Sequence, residues 1–87
     1  MVSQKATIKN LTGLYITPAG LLCETAAQFK SKILFRYKEA TGNAKSVLSI
    51  LGACVKSGDE IELICEGDDE EEALTAILKV IEDGLGE

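Results

Sequence analysis

The chain opens on a period-two pattern. Val2, Gln4, Ala6 and Ile8 interleave with Ser3, Lys5, Thr7 and Lys9, which predicts a half-exposed first strand. The segment "LTG" at 11–13 breaks it. Thr17-Pro18 then reads as a helix start, with the hydroxyl as cap and the proline in a first turn that lacks hydrogen-bond acceptors. Ala19, Leu22, Ala26 and Phe29 recur at spacings of three and four, one stripe of an amphipathic helix. Gly20 interrupts that helix at a cost of up to ~1 kcal/mol relative to alanine. Residues 33–37, "ILFRY", form a second strand, and 40–43, "ATGN", a third that Gly42 weakens. Ser46 caps a short helix over 47–52. Ile61, Leu63 and Cys65 alternate with Glu60, Glu62 and Glu66, the cleanest strand in the chain. Leu74, Ile77, Leu78 and Ile81 mark a last helix. The acidic run Asp68 to Glu72 suits its positive N-terminus, and Gly84 its C-cap.

The order β-α-β-(β)-α-β-α predicts one α+β domain over 1–87, an antiparallel sheet with helices on one face and solvent on the other. A chain of 87 residues supports a single thin core rather than a deep enclosed cavity. Four aromatics, Tyr15, Phe29, Phe35 and Tyr37, leave that core mainly aliphatic.

Charge narrows the partners. The net charge of −5 is wrong for nucleic acid, which needs a dense Lys/Arg footprint, and for anionic membranes. No run approaches the ~20 apolar residues of a membrane span, and the N-terminus lacks the apolar core of a secretory signal. Cys23, Cys54 and Cys65 are odd in number and contain no C-x-x-C pair. They read as free thiols of a cytoplasmic protein, not as a disulfide framework or zinc site. Cys65, inside the strand pattern, reads as a small buried hydrophobe.

The residues offer little for catalysis. There is no histidine to serve as general base or to activate a nucleophile. No phosphate-binding loop of the G-x-x-x-x-G-K-[ST] kind is present, and "GDDEEE" at 67–72 is a solvated helix start. No cofactor or metal is expected. Two features stand out instead. In the helix over 47–52, Val47, Leu48, Ile50 and Leu51 are too many apolar chains for one buried stripe. Leu48 and Leu51 form the expected exposed pair, a partner surface; the other reading is a short helix fully buried under a loop. Ser46 is an ordinary N-cap, yet a helix N-terminus also tolerates added phosphate well.

Taken together, "TGLYITPAG" (12–20), "NAKSVLSILG" (43–52), "GDEIEL" (58–63) and "GDDEEEALTAI" (67–77) resemble the HPr family over essentially the whole chain. These are the small phosphocarriers of the bacterial phosphotransferase system, with an open-faced β-sandwich fold. The family pattern G-[IL]-H-A-R-P-A is matched by Gly13-Leu14-Tyr15-Ile16-Thr17-Pro18-Ala19. Tyr15 stands where the resemblance places the phosphate-accepting histidine, and Thr17 where it places an arginine. A phenol is a poor relay for reversible phosphoryl transfer, and Thr17 brings no positive charge to a phosphate. Tyr15 then serves as a surface contact at the entrance of the first helix.

Asn43, Lys45 and Ser46 match the family's regulatory segment. The resemblance implies that Ser46 is phosphorylated by the ATP-dependent HPr kinase/phosphorylase. It also implies that Val47, Leu48 and Leu51 lie on the patch that meets a catabolite-control repressor. Ser49 and Gly52 depart from the family pattern there. A retained serine with a lost histidine resembles the catabolite-repression HPr homologues. The competing expectation is a domain that docks on phosphotransferase components without being modified.

Overall fold

The computed structural model describes residues 1–86. Seven elements follow one another: β1 (Val2–Thr7), α1 (Ile16–Ala27), β2 (Lys32–Tyr37), β3 (Ala40–Asn43), α2 (Val47–Ala53), β4 (Glu60–Glu66) and α3 (Glu70–Glu82). The strands form one antiparallel sheet in the order β1-β4-β2-β3. The last strand of the chain therefore lies inside the sheet. Its composition fits that place: Ile61, Leu63 and Cys65 are buried, and the residues between them are not.

One face of the sheet supplies the core. Ile33 sits opposite Cys65, and Phe35 opposite Leu63, all four buried. Leu22 and Ala26 of α1, Ile50 of α2 and Ile77 and Ile81 of α3 complete the cluster. The other face carries Lys5, Glu62 and Arg36 side by side across three strands, with Arg36 and Glu62 3.7 Å apart. The predicted α+β arrangement holds in every element, including the weak third strand. Gly42 has a positive reason to be there. It pairs directly with Phe35, and a Cβ at 42 would lie 2.3 Å from the Phe35 ring. The glycine leaves the aromatic ring its space.

Several details depart from the sequence pattern. Thr17 does not cap α1. The helix starts at Ile16, Tyr15 holds the N-cap position with extended backbone, and no side chain caps it. Ala19 N–H donates to the Tyr15 carbonyl at 2.7 Å, so Thr17 is already inside the first turn. Pro18 sits in that turn too, where its missing N–H leaves no bond unmade. Phe29 lies beyond the helix end and is only partly buried. At the other end of the chain Gly84 follows the C-cap Asp83. Its N–H donates to Ile81 and that of Leu85 to Val80, a Schellman closure that folds Leu85 into the core.

The acidic run does more than complement a dipole. Glu70, Glu71 and Glu72 occupy the first turn of α3. Asp69 instead reaches across to the α1–β2 connection. Its carboxylate accepts from the Lys30 and Ser31 N–H groups, at 2.9 Å each, and from the buried Ser31 hydroxyl. Those donors hold the Asp69 carboxyl below the ordinary aspartate range, the Ser31 hydroxyl most of all. Among the described residues no helix is long and apolar enough to cross a membrane.

Candidate functional site

The loop before α1 is locked by short-range bonds. Asn10 Nδ2 donates to the Gly13 carbonyl at 2.7 Å, and Gly13 N–H donates to the Asn10 carbonyl at 3.2 Å. Leu14 N–H then donates to Val55 O at 3.0 Å, tying the loop to the segment after α2. Gly13 has φ +66°, and a Cβ there would lie 2.5 Å from Val55 O. Only glycine fits this backbone approach. The constraint delivers Tyr15 and Ile16 to the surface, 63% and 59% exposed.

Beside them runs a groove of about 410 Å³. Leu14, Tyr15 and Ile16 form one wall, and Leu51, Cys54 and Val55 the other. Thr12 and Lys56 complete its lining. The α2 wall is held from behind. The Tyr37 hydroxyl donates to Asp59, which also accepts from Lys56 N–H at 3.0 Å. The two effects are opposite in sign: the bond raises the Tyr37 phenol and lowers the Asp59 carboxyl.

Ser46 is the N-cap of α2, as its position before the apolar run predicts. Its Oγ accepts from Ser49 N–H at 3.2 Å. The preceding turn is built by Asn43, whose side chain accepts from Lys45 N–H and whose carbonyl accepts from Ser46 N–H. Lys45 Nζ donates to the Phe29 carbonyl at 2.6 Å, which fixes the turn against the end of α1. That helix has no basic residue in its own last turn, so Lys45 supplies its C-terminal cation from another part of the chain.

The exposed apolar pair on α2 is Val47 and Leu48, not Leu48 and Leu51. Leu48 is 78% and Val47 38% exposed, while Leu51 is partly buried at the groove. Ile50 explains this: it points into the core, which turns Leu48, two residues away, to the opposite side of the helix. A short helix fully buried under a loop is thereby excluded. Cys65 is buried and its thiol is pushed up mainly by that burial. Cys54, by contrast, is exposed and left-handed at the end of α2, and Cys23 is half-buried. Burial as a small hydrophobe therefore describes Cys65 alone.

The structure thus brings Tyr15 and Leu51 to one groove, with Val47 and Leu48 on the exposed side of α2 and Thr17 inside the first turn of α1. Ile16, Cys54 and Val55 also form the walls, and sequence pattern did not find them. Ile16 is the chain neighbour of Tyr15, whereas Cys54 and Val55 meet it through the Leu14 N–H to Val55 O bond, a contact between positions far apart in the chain.

A family model described as "PTS HPr component phosphorylation site" matches residues 2–83. The HPr-like protein Crh of Halalkalibacterium halodurans is 38% identical over 82 residues, 94% of this chain and 98% of the relative. The phosphocarrier protein HPr of Treponema pallidum is 33% identical over 87 residues, 100% and 99% of the two chains. The crystal structure of HPr-C-His from Thermoanaerobacter tengcongensis superposes with a TM-score of 0.97 at 41% identity, covering 100% of this chain and 98% of the other. The chain belongs to the HPr family, the phosphocarrier proteins of the phosphotransferase system. Its relatives include both phosphocarriers and Crh-type proteins.

Proposed function

We propose that this chain is a cytoplasmic, regulatory HPr-like protein. It carries no phosphate at position 15, is phosphorylated on Ser46, and binds a regulator through the surface around that serine. The observation that carries the reading is Ser46 itself: a capping hydroxyl beside Val47 and Leu48, whose apolar side chains are turned to solvent. Phosphoryl transfer would join the Ser46 oxygen to the γ-phosphorus of ATP, release ADP, and pass the hydroxyl proton to a base of the kinase. The product adds about −1.5 to −2 charges at the start of α2, where the helix dipole favours them. The kinase is an HPr kinase/phosphorylase by family resemblance, and the reader of the phosphoserine a catabolite-control repressor.

At the other site, Tyr15 and Thr17 stand at the start of α1 where the family's histidine and arginine belong. The chain has no histidine at all. Tyr15 and Thr17 act as contacts beside the groove, not as carriers.

Incubation with HPr kinase and ATP, followed by peptide mass mapping, is expected to place one phosphate on Ser46 and none on the Ser46→Ala variant. An unmodified Ser46 would overturn the reading. Enzyme I and labelled phosphoenolpyruvate are expected to transfer no label. Tyr15→His alone should recover little transfer, because Thr17 cannot steady the charged product. Efficient labelling of that single variant refutes the second half of the proposal. An alternative is docking without modification, favoured by a groove already formed in the unphosphorylated chain. Binding that survives Ser46→Ala but is lost in Leu48→Asp selects that alternative.

A further inference from the structure

The helices pack on one face of the sheet, and the other face is bare. On β4 the residues between buried Ile61, Leu63 and Cys65 are Glu60, Glu62, Ile64 and Glu66, none of them buried. On β2 the residues on the same face are Lys32, Leu34 and Arg36. The register sets Glu66 opposite Lys32, Ile64 opposite Leu34 and Glu62 opposite Arg36. Lys38, in the turn beyond β2, lines the same hollow as Lys5, Glu60 and Glu62. The two central strands therefore present one acidic and one basic column, each with a single aliphatic residue at the same level.

Leu34 and Ile64 have no place in the core cluster. They are half-buried, with Ser3 of β1 and Asn43 of β3 beside them at the same level. Two copies can meet on this face about a two-fold axis in two ways. An axis across the strands, at the level of Leu34 and Ile64, sets Glu66 against Glu62 of the other copy and Lys32 against Arg36. Those are like charges. An axis along the strands, midway between β4 and β2, instead lays β4 of each copy over β2 of the other. Glu62 then faces Arg36, Glu66 faces Lys32 and Ile64 faces Leu34, so every level meets its complement. Aligned sheet packing, with strands within about 30° of each other, is the geometry this needs.

We propose that the bare face of the sheet is a homodimer interface, on which two copies meet face to face about a two-fold axis running along the strands between β4 and β2. Leu34 and Ile64 of both copies form its apolar centre, and the Glu62–Arg36 and Glu66–Lys32 rows stack around it with signs alternating. A partner surface of one sign is the wrong occupant, because it meets one of the two columns with like charge. At roughly 15 by 20 Å, four strands wide and about six residues long, the face is small. Its association belongs at the weak end of protein interfaces. The helices point away from it, so the interface is independent of Ser46 and of position 15.

The test is sedimentation equilibrium of the full chain up to about 1 mM, with amide shifts followed over the same range. Shifts with concentration are expected at Lys32, Leu34, Arg36, Glu62, Ile64 and Glu66, and not at Tyr15 or Ser46. Arg36→Glu and Glu62→Arg are each expected to weaken self-association at least fivefold, because each sets like charges face to face. Mixed one to one, these two variants should associate with each other at least as tightly as the unaltered chain does with itself. Lys32→Glu mixed with Glu62→Arg carries the same net charges and should not, because positions 32 and 62 do not face each other in this register. Ile64→Thr keeps a strand-forming residue and should weaken the dimer at least fivefold. All four variants change side chains of the bare face, and circular dichroism confirms that they fold. A monomer at every concentration, a dimer indifferent to Ile64→Thr, or equal association of the two mixtures overturns the proposal. So do shifts confined to the β1 edge or to α2.

Discussion

Gly20 lies inside α1, and a Cβ built there meets no atom within 4 Å. Gly20→Ala is therefore expected to stabilise the protein by about 0.5–1 kcal/mol, through lower unfolded-chain entropy and better helix propensity. Urea denaturation checks the sign. Gly13 gives the opposite result at the same scale. Its positive φ and the 2.5 Å approach to Val55 O mean that Gly13→Ala must push the loop off the α2 segment. That variant should lose at least ~1 kcal/mol and displace Tyr15 and Ile16, visible as shifts in their amide resonances. Ser46→Ala removes a cap whose partner is Ser49 N–H, at a cost of about 1 kcal/mol. Residues whose role is local were legible in the sequence: Ser46 announces its cap three positions before the amide it serves. Thr17 misled because a hydroxyl next to proline looks the same just before a helix as at its second residue.

At the scale of elements, two carboxylates bind segments that helices and strands leave loose. Asp69 ties the start of α3 to the α1–β2 connection through Lys30 and Ser31, and Asp59 ties the loop after α2 to Tyr37. Both carboxyls are lowered in the folded state. A lowered acid stabilises the fold fully above its unfolded pKa of about 4, and that contribution disappears as pH falls through the lower folded value. Asp69→Asn should therefore reduce stability at pH 7 and flatten the acid limb of the stability profile below about pH 4, measured by thermal unfolding against pH. The phenol of Tyr37 is raised, so its share persists below about pH 10 and is lost as pH climbs through the higher folded value. Neither tie can be read from the sequence, where Asp69 belongs to a run of acids that a helix start explains. Nothing local marks Ser31 as its partner. Periodicity, by contrast, located β1, α1, β4 and α3, because β4 buries a face with a repeat of two and α3 one with a repeat between three and four; β3 buries none of its residues and leaves only a weak pattern.

For the whole molecule, Phe35 is the side chain on which the layers meet, buried over Gly42 and opposite Leu63. Phe35→Ala is expected to cost about 3–5 kcal/mol, a large part of the roughly 5–15 kcal/mol that holds a domain together. Equilibrium unfolding should show a chain near its folding limit. The sheet order has a consequence in time as well as in energy. Val2 pairs with Cys65 and Thr7 with Glu60, whereas β2 and β3 meet through a tight turn. On the ribosome the β2–β3 hairpin can close as soon as it emerges, but the first-made strand has no mate until the sixties of the chain have been translated. The β1 segment thus waits until β4 has been made, and closure of the sheet follows the hairpin rather than preceding it.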